Sequence, residues 1–229
     1  MTDELIAVVP AAGVGRRMGA DRPKQYLKLG KQTILEHTLQ RLLAFPAVSQ
    51  LILALGADDE YASELAILRD PRIIRVEGGR ERADSVLHAL AKAKAPWVMV
   101  HDAARPCITH EDLKKLWDTA RSDGVGALLA APVRDTMKRG DLSGRVAQTV
   151  CRERLWHALT PQLFRTELLY RALEQAGEAG LEVTDESSAM EFAGYHPALV
   201  EGRFDNIKIT HPKDLRLAEI FMQLQESNG

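Results

Sequence analysis

The 229-residue chain has only two cysteines, Cys107 and Cys151, with neither CxxC spacing nor a flanking histidine pattern. That argues against a disulfide framework or a structural zinc site and fits a reducing cytoplasm. No run of 18 or more apolar residues occurs, so no segment is expected to span a membrane. The chain opens Met1-Thr2-Asp3-Glu4, acidic where a secretory signal is basic. The formal net charge is only −2, which argues against a polyanion-binding surface over the whole protein and so against nucleic acid as a partner. A local basic loop for a small phosphate ligand is compatible with that balance. The expectation is a soluble cytoplasmic protein.

What remains is ordinary globular composition, 45% hydrophobic and 27% charged, with enough length to bury a sizeable core as a single domain over residues 1–229. Short apolar runs alternate with stretches of helical period. Residues 5–10 (LIAVVP), 48–55 (VSQLILAL), 72–77 (RIIRVE), 97–101 (WVMVH) and 125–131 (VGALLAA) read as strands. Their nearly unbroken apolar character suits strands buried on both faces, as in a parallel sheet. Thr33-Ile34-Leu35-Glu36 has capping-box spacing and opens a helix with apolar Ile34, Leu35, Leu39, Leu42 and Leu43. Residues 58–69, 82–94 and 109–122 read as helices too, the last with Thr109 as N-cap. This alternation predicts right-handed crossovers and a three-layer, Rossmann-like α/β domain with a mostly parallel sheet.

The pattern changes after Pro132. Residues 133–154 are polar and contain Gly140, Asp141 and Gly144, which predicts a projecting β-arm that turns within 139–144; a disordered loop is the alternative. Helices are expected at 166–176 and 184–193, short strands at 198–200 and 207–210, and a final helix over 213–225 with Pro212 in its first turn.

The loop after the first strand is the most informative stretch. It runs Pro10-Ala11-Ala12-Gly13-Val14-Gly15-Arg16-Arg17-Met18 and ends Pro23-Lys24-Gln25-Tyr26. Ligands of open α/β sheets bind beyond the carboxyl ends of strands, where this loop sits. Its small residues let backbone N–H groups approach an anion, and Arg16, Arg17 and Lys24 supply charge for a polyphosphate. A dinucleotide fingerprint would need a third glycine at Met18, and a P-loop would need Gly-Lys-Ser/Thr; neither is met.

From these residues the sequence is similar to the 2-C-methyl-D-erythritol 4-phosphate cytidylyltransferases of the non-mevalonate isoprenoid pathway. The resemblance continues through Gly78-Gly79-Arg80-Glu81-Arg82-Ala83-Asp84-Ser85-Val86 and His101-Asp102-Ala103-Ala104-Arg105-Pro106. It then runs through Leu159-Thr160-Pro161-Gln162, Val183-Thr184-Asp185-Glu186 and Asp205-Asn206-Ile207-Lys208, in family order over essentially the whole chain. It implies a nucleotide-diphospho-sugar-transferase-like domain whose arm pairs two subunits into a homodimer. The reaction it implies is attack by the acceptor phosphate on the α-phosphorus of CTP, with release of pyrophosphate. A phosphate monoester has a second pKa of about 6, so the nucleophile needs no general base; positioning and charge stabilisation remain.

By resemblance, Arg17 and Lys24 stabilise the transition state, although Arg16 is equally able to turn toward the ligand from sequence alone. Ala11, Ala12, Gly13, Gly15, Gly79, Ser85 and Ala103 fall among the nucleotide-binding blocks. Arg152 and Lys208 match residues that hold the acceptor phosphate, with Arg154 a rival for the first role. Thr136, Thr160 and Thr184 match neighbours of that phosphate, and Thr136 and Arg152 belong to the arm, which in the family completes the partner's site. Asp102 is the candidate Mg²⁺ residue, directly or through water, with pairing to Arg105 as its structural alternative. His88, His157 and the three tryptophans Trp97, Trp117 and Trp156 read as structural. A ribitol-5-phosphate cytidylyltransferase is the competing assignment; Ala12 and Tyr26 favour the methylerythritol one. An NAD-dependent oxidoreductase and a silent nucleotide-binding scaffold are disfavoured by the missing third glycine and by the retained basic loop residues.

Overall fold

The computed structural model describes residues 4–13 and 22–227. β1 (Leu5–Pro10) leads through the functional loop to a one-turn 3-10 helix (Lys24–Tyr26) and a small hairpin of β2 (Lys28–Leu29) and β3 (Gln32–Thr33). α1 (Ile34–Leu43) follows, then β4 (Val48–Leu55), β5 (Ile73–Glu77), α2 (Arg82–Leu90), β6 (Trp97–Val100), α3 (His110–Asp123) and β7 (Gly126–Pro132). The second part holds β8 (Met137–Gly140), β9 (Val146–Val150), β10 (Trp156–Arg165), α4 (Thr166–Glu178), α5 (Glu186–Phe192), β11 (Ala198–Glu201) and α6 (Pro212–Ser227).

Seven strands form one sheet in the order β11-β7-β10-β6-β1-β4-β5. β1 pairs in parallel with β4 and β6, β4 with β5, and β11 with β7, whereas β10 runs antiparallel to both of its neighbours. Strand alternation divides the core in two. Leu5, Ala7 and Val9 of β1, with Leu51 and Leu53 of β4 and Met99 of β6, pack under α1 and α3. Ile6 and Val8, with Ile52, Val98 and Val100, face α2, α4 and α5. Both faces of the central strands are covered, which is why they read as continuous apolar runs. A third cluster, in which Ile209, Ala218 and Met222 meet Leu29 and Ile34, fastens α6 beside the β2–β3 hairpin.

The capping box at Thr33 forms: its hydroxyl accepts the Glu36 N–H at 3.1 Å, and the Glu36 carboxylate accepts the Thr33 N–H at 2.7 Å. Thr109 caps α3 in the expected way, accepting the Asp112 N–H at 3.2 Å. The helix expected at 58–69 is instead two 3-10 turns, Ala62–Glu64 and Ala66–Arg69. Asp59 accepts the Tyr61 and Ala62 N–H groups, and Leu65 between the turns is extended and buried in the core, so a continuous helix is interrupted. α2 ends at Leu90 rather than at residue 94. No strand forms at 207–210; the Ile209 N–H bonds singly to the Ala104 carbonyl at 2.9 Å, beside the loop after β6.

The antiparallel strand β10 has no counterpart among the expected strands. Its register against β7 shifts between Ala158 and Gln162, a bulge that takes Pro161 out of the ladder. Between β7 and β10, β8 and β9 form the expected hairpin as a separate two-stranded sheet. Asp141 shapes its turn by accepting the Ser143 and Arg145 N–H groups, and Gly144 adopts φ +78°. Both cysteines are free thiols. Among the described residues no helix is long and apolar enough to cross a membrane.

Candidate active site

A cavity of about 280 Å³ opens at the carboxyl ends of β1, β5 and β6. It gathers Ala11, Ala12, Gly13, Lys24, Gly79, Ser85, Asp102, Ala103 and Lys208, all singled out from the sequence. Gly15, Arg16 and Arg17 lie outside the described residues.

The first wall is the loop after β1. The Ala11 N–H extends the ladder to Ala54 at 2.8 Å. The buried amide of Gln25 then donates to the carbonyls of Ala11 at 2.7 Å and Gly13 at 3.2 Å, tying both sides of Ala12 to the Lys24–Tyr26 turn. Tyr26, whose identity favours the methylerythritol assignment, is buried beneath that turn. It donates to the Asp59 carboxylate at 2.6 Å and packs on the Tyr61 ring. Burial, then the bond and charge of Asp59, push its phenol far above the usual range, as suits a fixed structural donor. It does not line the cavity.

The second wall begins where β5 ends. A Cβ on Gly78 would lie 2.5 Å from the Ala12 Cβ, and one on Gly79 would lie 2.1 Å from the Asp84 Cβ. Only glycine permits this approach of loop to loop and loop to helix. The Ser85 hydroxyl accepts the Gly79 N–H at 3.0 Å and itself donates to the Glu81 carbonyl, so it holds the glycine turn onto α2.

Asp102 forms the floor, immediately after β6. Its Oδ1 meets Arg82 Nε at 3.2 Å, and its Oδ2 meets Lys208 Nζ at 2.9 Å and Arg105 Nε at 3.4 Å. Burial alone would raise its pKa, but the charges of Arg82, Lys208 and Arg105 outweigh burial and hold the carboxyl well below the usual range. The pairing of Asp102 with Arg105 is thus present, within a larger cluster. Arg105 also donates to the Asn206 carbonyl at 2.8 Å, anchoring the segment that carries Lys208. Lys24 reaches the same segment from the opposite wall and donates to the Ile209 carbonyl at 2.9 Å. Lys24 is thus bonded to the residue next to Lys208, whose own ammonium is held on Asp102, and both lysines line the cavity.

His101 is fully buried behind the floor. Its Nε2 lies 3.0 Å from the Arg105 carbonyl, an acceptor only, so Nε2 carries the proton and Nδ1 accepts from the Thr160 hydroxyl at 3.0 Å. That hydroxyl in turn accepts the Asp102 N–H at 3.1 Å. Burial lowers the His101 pKa to about 4, so the ring is neutral and structural. Thr160 accordingly sits one layer beneath the cavity and braces Asp102.

Three other residues named from the sequence are absent from the lining. Thr136 and Arg152 are exposed on the arm, with Arg152 donating to the Arg134 carbonyl, and Thr184 is exposed just before α5. Conversely, Gln25, Arg80, Glu81 and Arg82 line the cavity although the sequence reading assigns them no role. Arg82 had a legible signal: it opens a helix, where the dipole disfavours a cation, so it requires an acidic partner. Glu186, 1% exposed, supplies it through two bonds of 2.6 and 3.1 Å.

No grouping of three metal-type ligands occurs among the described residues. The one ionised carboxylate of the floor, Asp102, has both oxygens held by cations, so it would fit Mg²⁺ only through water, with phosphates and water supplying the ion's own ligands.

Comparison with known proteins gives a consistent result. The sequence profile described as IspD, 2-C-methyl-D-erythritol 4-phosphate cytidylyltransferase, matches residues 5–224. The protein of that name from Shewanella amazonensis is 56% identical over 98% of this chain and 95% of its own. The one from Vibrio atlanticus is 58% identical over 95% of each. Among solved structures, the cytidylyltransferase of Francisella tularensis superposes with a TM-score of 0.84 at 34% identity, over 95% of this chain and 99% of its own. That of Thermus thermophilus gives 0.81 at 35% identity, over 96% and 99%. The match passes through every block that carried the resemblance and through the cavity those blocks build, and the chain belongs to the 2-C-methyl-D-erythritol 4-phosphate cytidylyltransferase family.

Proposed function

We propose that this protein transfers a cytidylyl group from CTP to 2-C-methyl-D-erythritol 4-phosphate, releasing pyrophosphate and forming 4-diphosphocytidyl-2-C-methyl-D-erythritol. The observation that carries the reading is that Lys24 and Lys208 line one cavity together with the small-residue loop Ala11–Gly13, Lys24 being bonded to the residue next to Lys208. The chemistry needs two anions brought together and charge stabilised on the α-phosphate, which cations do and a general base does not. His101, neutral and braced by two bonds, is out of that role. Lys24 serves the triphosphate and Lys208 the acceptor phosphate; Arg17 joins Lys24 by family resemblance.

Mg²⁺ bound to the triphosphate would offset its charge and polarise the reacting phosphate. Both Asp102 oxygens are engaged by cations, so Asp102 would hold the ion only through water. The active unit in this reading is a cytoplasmic homodimer, with Thr136 and Arg152 of each arm completing the partner's cavity. Support comes from the exposure of both residues outside their own cavity and from exposed apolar Leu142 and Val146 on the same arm.

Relatives named for methylerythritol phosphate at 56–58% identity weigh against ribitol 5-phosphate as acceptor. The deciding measurement is Mg²⁺-dependent pyrophosphate release from CTP with each acceptor in parallel. Strong preference for methylerythritol phosphate is expected. Preference for ribitol 5-phosphate would keep the mechanism and overturn the substrate.

A further inference from the structure

We infer that the buried ion pair between Glu186 and Arg82 positions the grip on the acceptor phosphate: the pair holds Asp102, and Asp102 holds Lys208. The inference rests on the reading above, in which Lys208 binds that phosphate. Glu186 stands in the first turn of α5 and is 1% exposed, an expensive place for a carboxylate unless its charge is used. Its two oxygens take both terminal nitrogens of Arg82, at 2.6 and 3.1 Å. The third nitrogen, Nε, donates to Asp102 Oδ1 at 3.2 Å. The guanidinium plane is therefore fixed by two carboxylates at once, a geometry that a lysine cannot reproduce.

The consequence falls on the other oxygen of Asp102. With Arg82 committed to Glu186, Oδ2 is left for Arg105 and for Lys208, which it meets at 2.9 Å. The cluster holds three cations, Arg82, Arg105 and Lys208, against two carboxylates, Asp102 and Glu186, so the cavity floor has a surplus of one positive charge. Once the Glu186 charge is removed, Arg82 has Asp102 alone to pair with. It then competes for Oδ2, and the ammonium of Lys208 loses its fixed place. The Gln25 clasp on Ala11 and Gly13 uses none of these residues, so the first effect of losing the Glu186 charge falls on Lys208. Glu186 is thus a positioning residue that acts through Arg82 and Asp102, joining α5 to a site it does not line.

The test is a double-mutant cycle in steady-state kinetics on the intact protein, varying each substrate, with Glu186→Gln, Lys208→Ala and the double variant. Glu186→Gln is expected to raise the acceptor KM about tenfold while the CTP KM changes less than about twofold. In the Lys208→Ala background the same change should leave the acceptor KM where it is. An equal increase in both backgrounds would overturn the inference, as would a lowered Tm with an unaltered acceptor KM. Should Glu186→Gln fail to fold, Glu186→Asp takes its place in the cycle, keeping the charge and shortening the reach. If Lys208→Ala itself leaves the acceptor KM unchanged, the assignment of Lys208 falls and the inference falls with it, an outcome distinct from additivity.

Discussion

Buried between the Arg105 carbonyl and the Thr160 hydroxyl, His101 accepts a proton only near pH 4, whereas an unfolded histidine does so near 6.5. Between those values the unfolded chain binds the extra proton, so stability is complete above pH 6.5 and is lost as pH falls toward 4. The loss from this one ring is roughly 2 kcal/mol between pH 7 and pH 5. Urea unfolding at those two values checks it, and His101→Gln should remove most of that difference. A slope unchanged in His101→Gln would assign the pH dependence to other groups. Lys24 is a half-buried cation that the proposed function places at the triphosphate. Lys24→Ala is expected to lower kcat by ~100-fold or more, the scale of one oriented charge-stabilising donor. The Gln25 clasp next to it stays in place, so CTP binding measured by calorimetry should weaken far less than turnover. Near-normal turnover would remove Lys24 from the reacting phosphates.

At the scale of elements, legibility followed burial and local chemistry. β1 and β4 were readable to the residue because both faces are covered and their apolar runs are unbroken. The caps of α1 and α3 were readable because Thr33 and Thr109 bond within three residues of themselves. β10 was not, because Pro161 and the bulge around it remove the local signature of a central strand. The site divides in the same way. Ala11–Gly13, Lys24 and Asp102 are visible as a small-residue loop, a cation and a carboxylate at strand ends. The pairing of Arg82 with Glu186 spans 104 positions and exists only once the sheet order brings α2 and α5 together. The arm was legible as a hairpin, though its purpose is not local. A two-stranded ribbon on its own is marginal in water, and this one exposes Leu142 fully and Val146 by 65%. Leu142→Glu together with Val146→Glu should therefore weaken self-association, read by sedimentation equilibrium. The unfolding free energy of the core should move by no more than about 0.5 kcal/mol. Unchanged association would remove Leu142 and Val146 from any contact between chains.

For the whole molecule, the cavity and the arm pose one geometric question. Each chain gathers Ala11–Gly13, Gly79, Ser85 and Lys24 in its own cavity, while Thr136 and Arg152 sit exposed on an arm whose hairpin shares no ladder with the main sheet. Two copies related by a twofold axis would let each arm finish the other's site, and a net charge of only −2 offers little repulsion to such pairing. The arrangement makes a quantitative prediction for mixed dimers. Lys24→Ala spoils the cavity of its own chain, and Arg152→Ala spoils the arm it lends. Each variant alone has no intact site. In a hybrid, the cavity of the Arg152→Ala chain receives an intact arm from the Lys24→Ala chain, so one of its two sites works. Random exchange of equal amounts makes half of all dimers hybrid, and activity should recover to about a quarter of the wild-type value. Were both residues to serve the cavity of their own chain, every site in every hybrid would still carry one defect. Mixing would then restore nothing, even with subunit exchange verified by mass spectrometry of differently tagged chains.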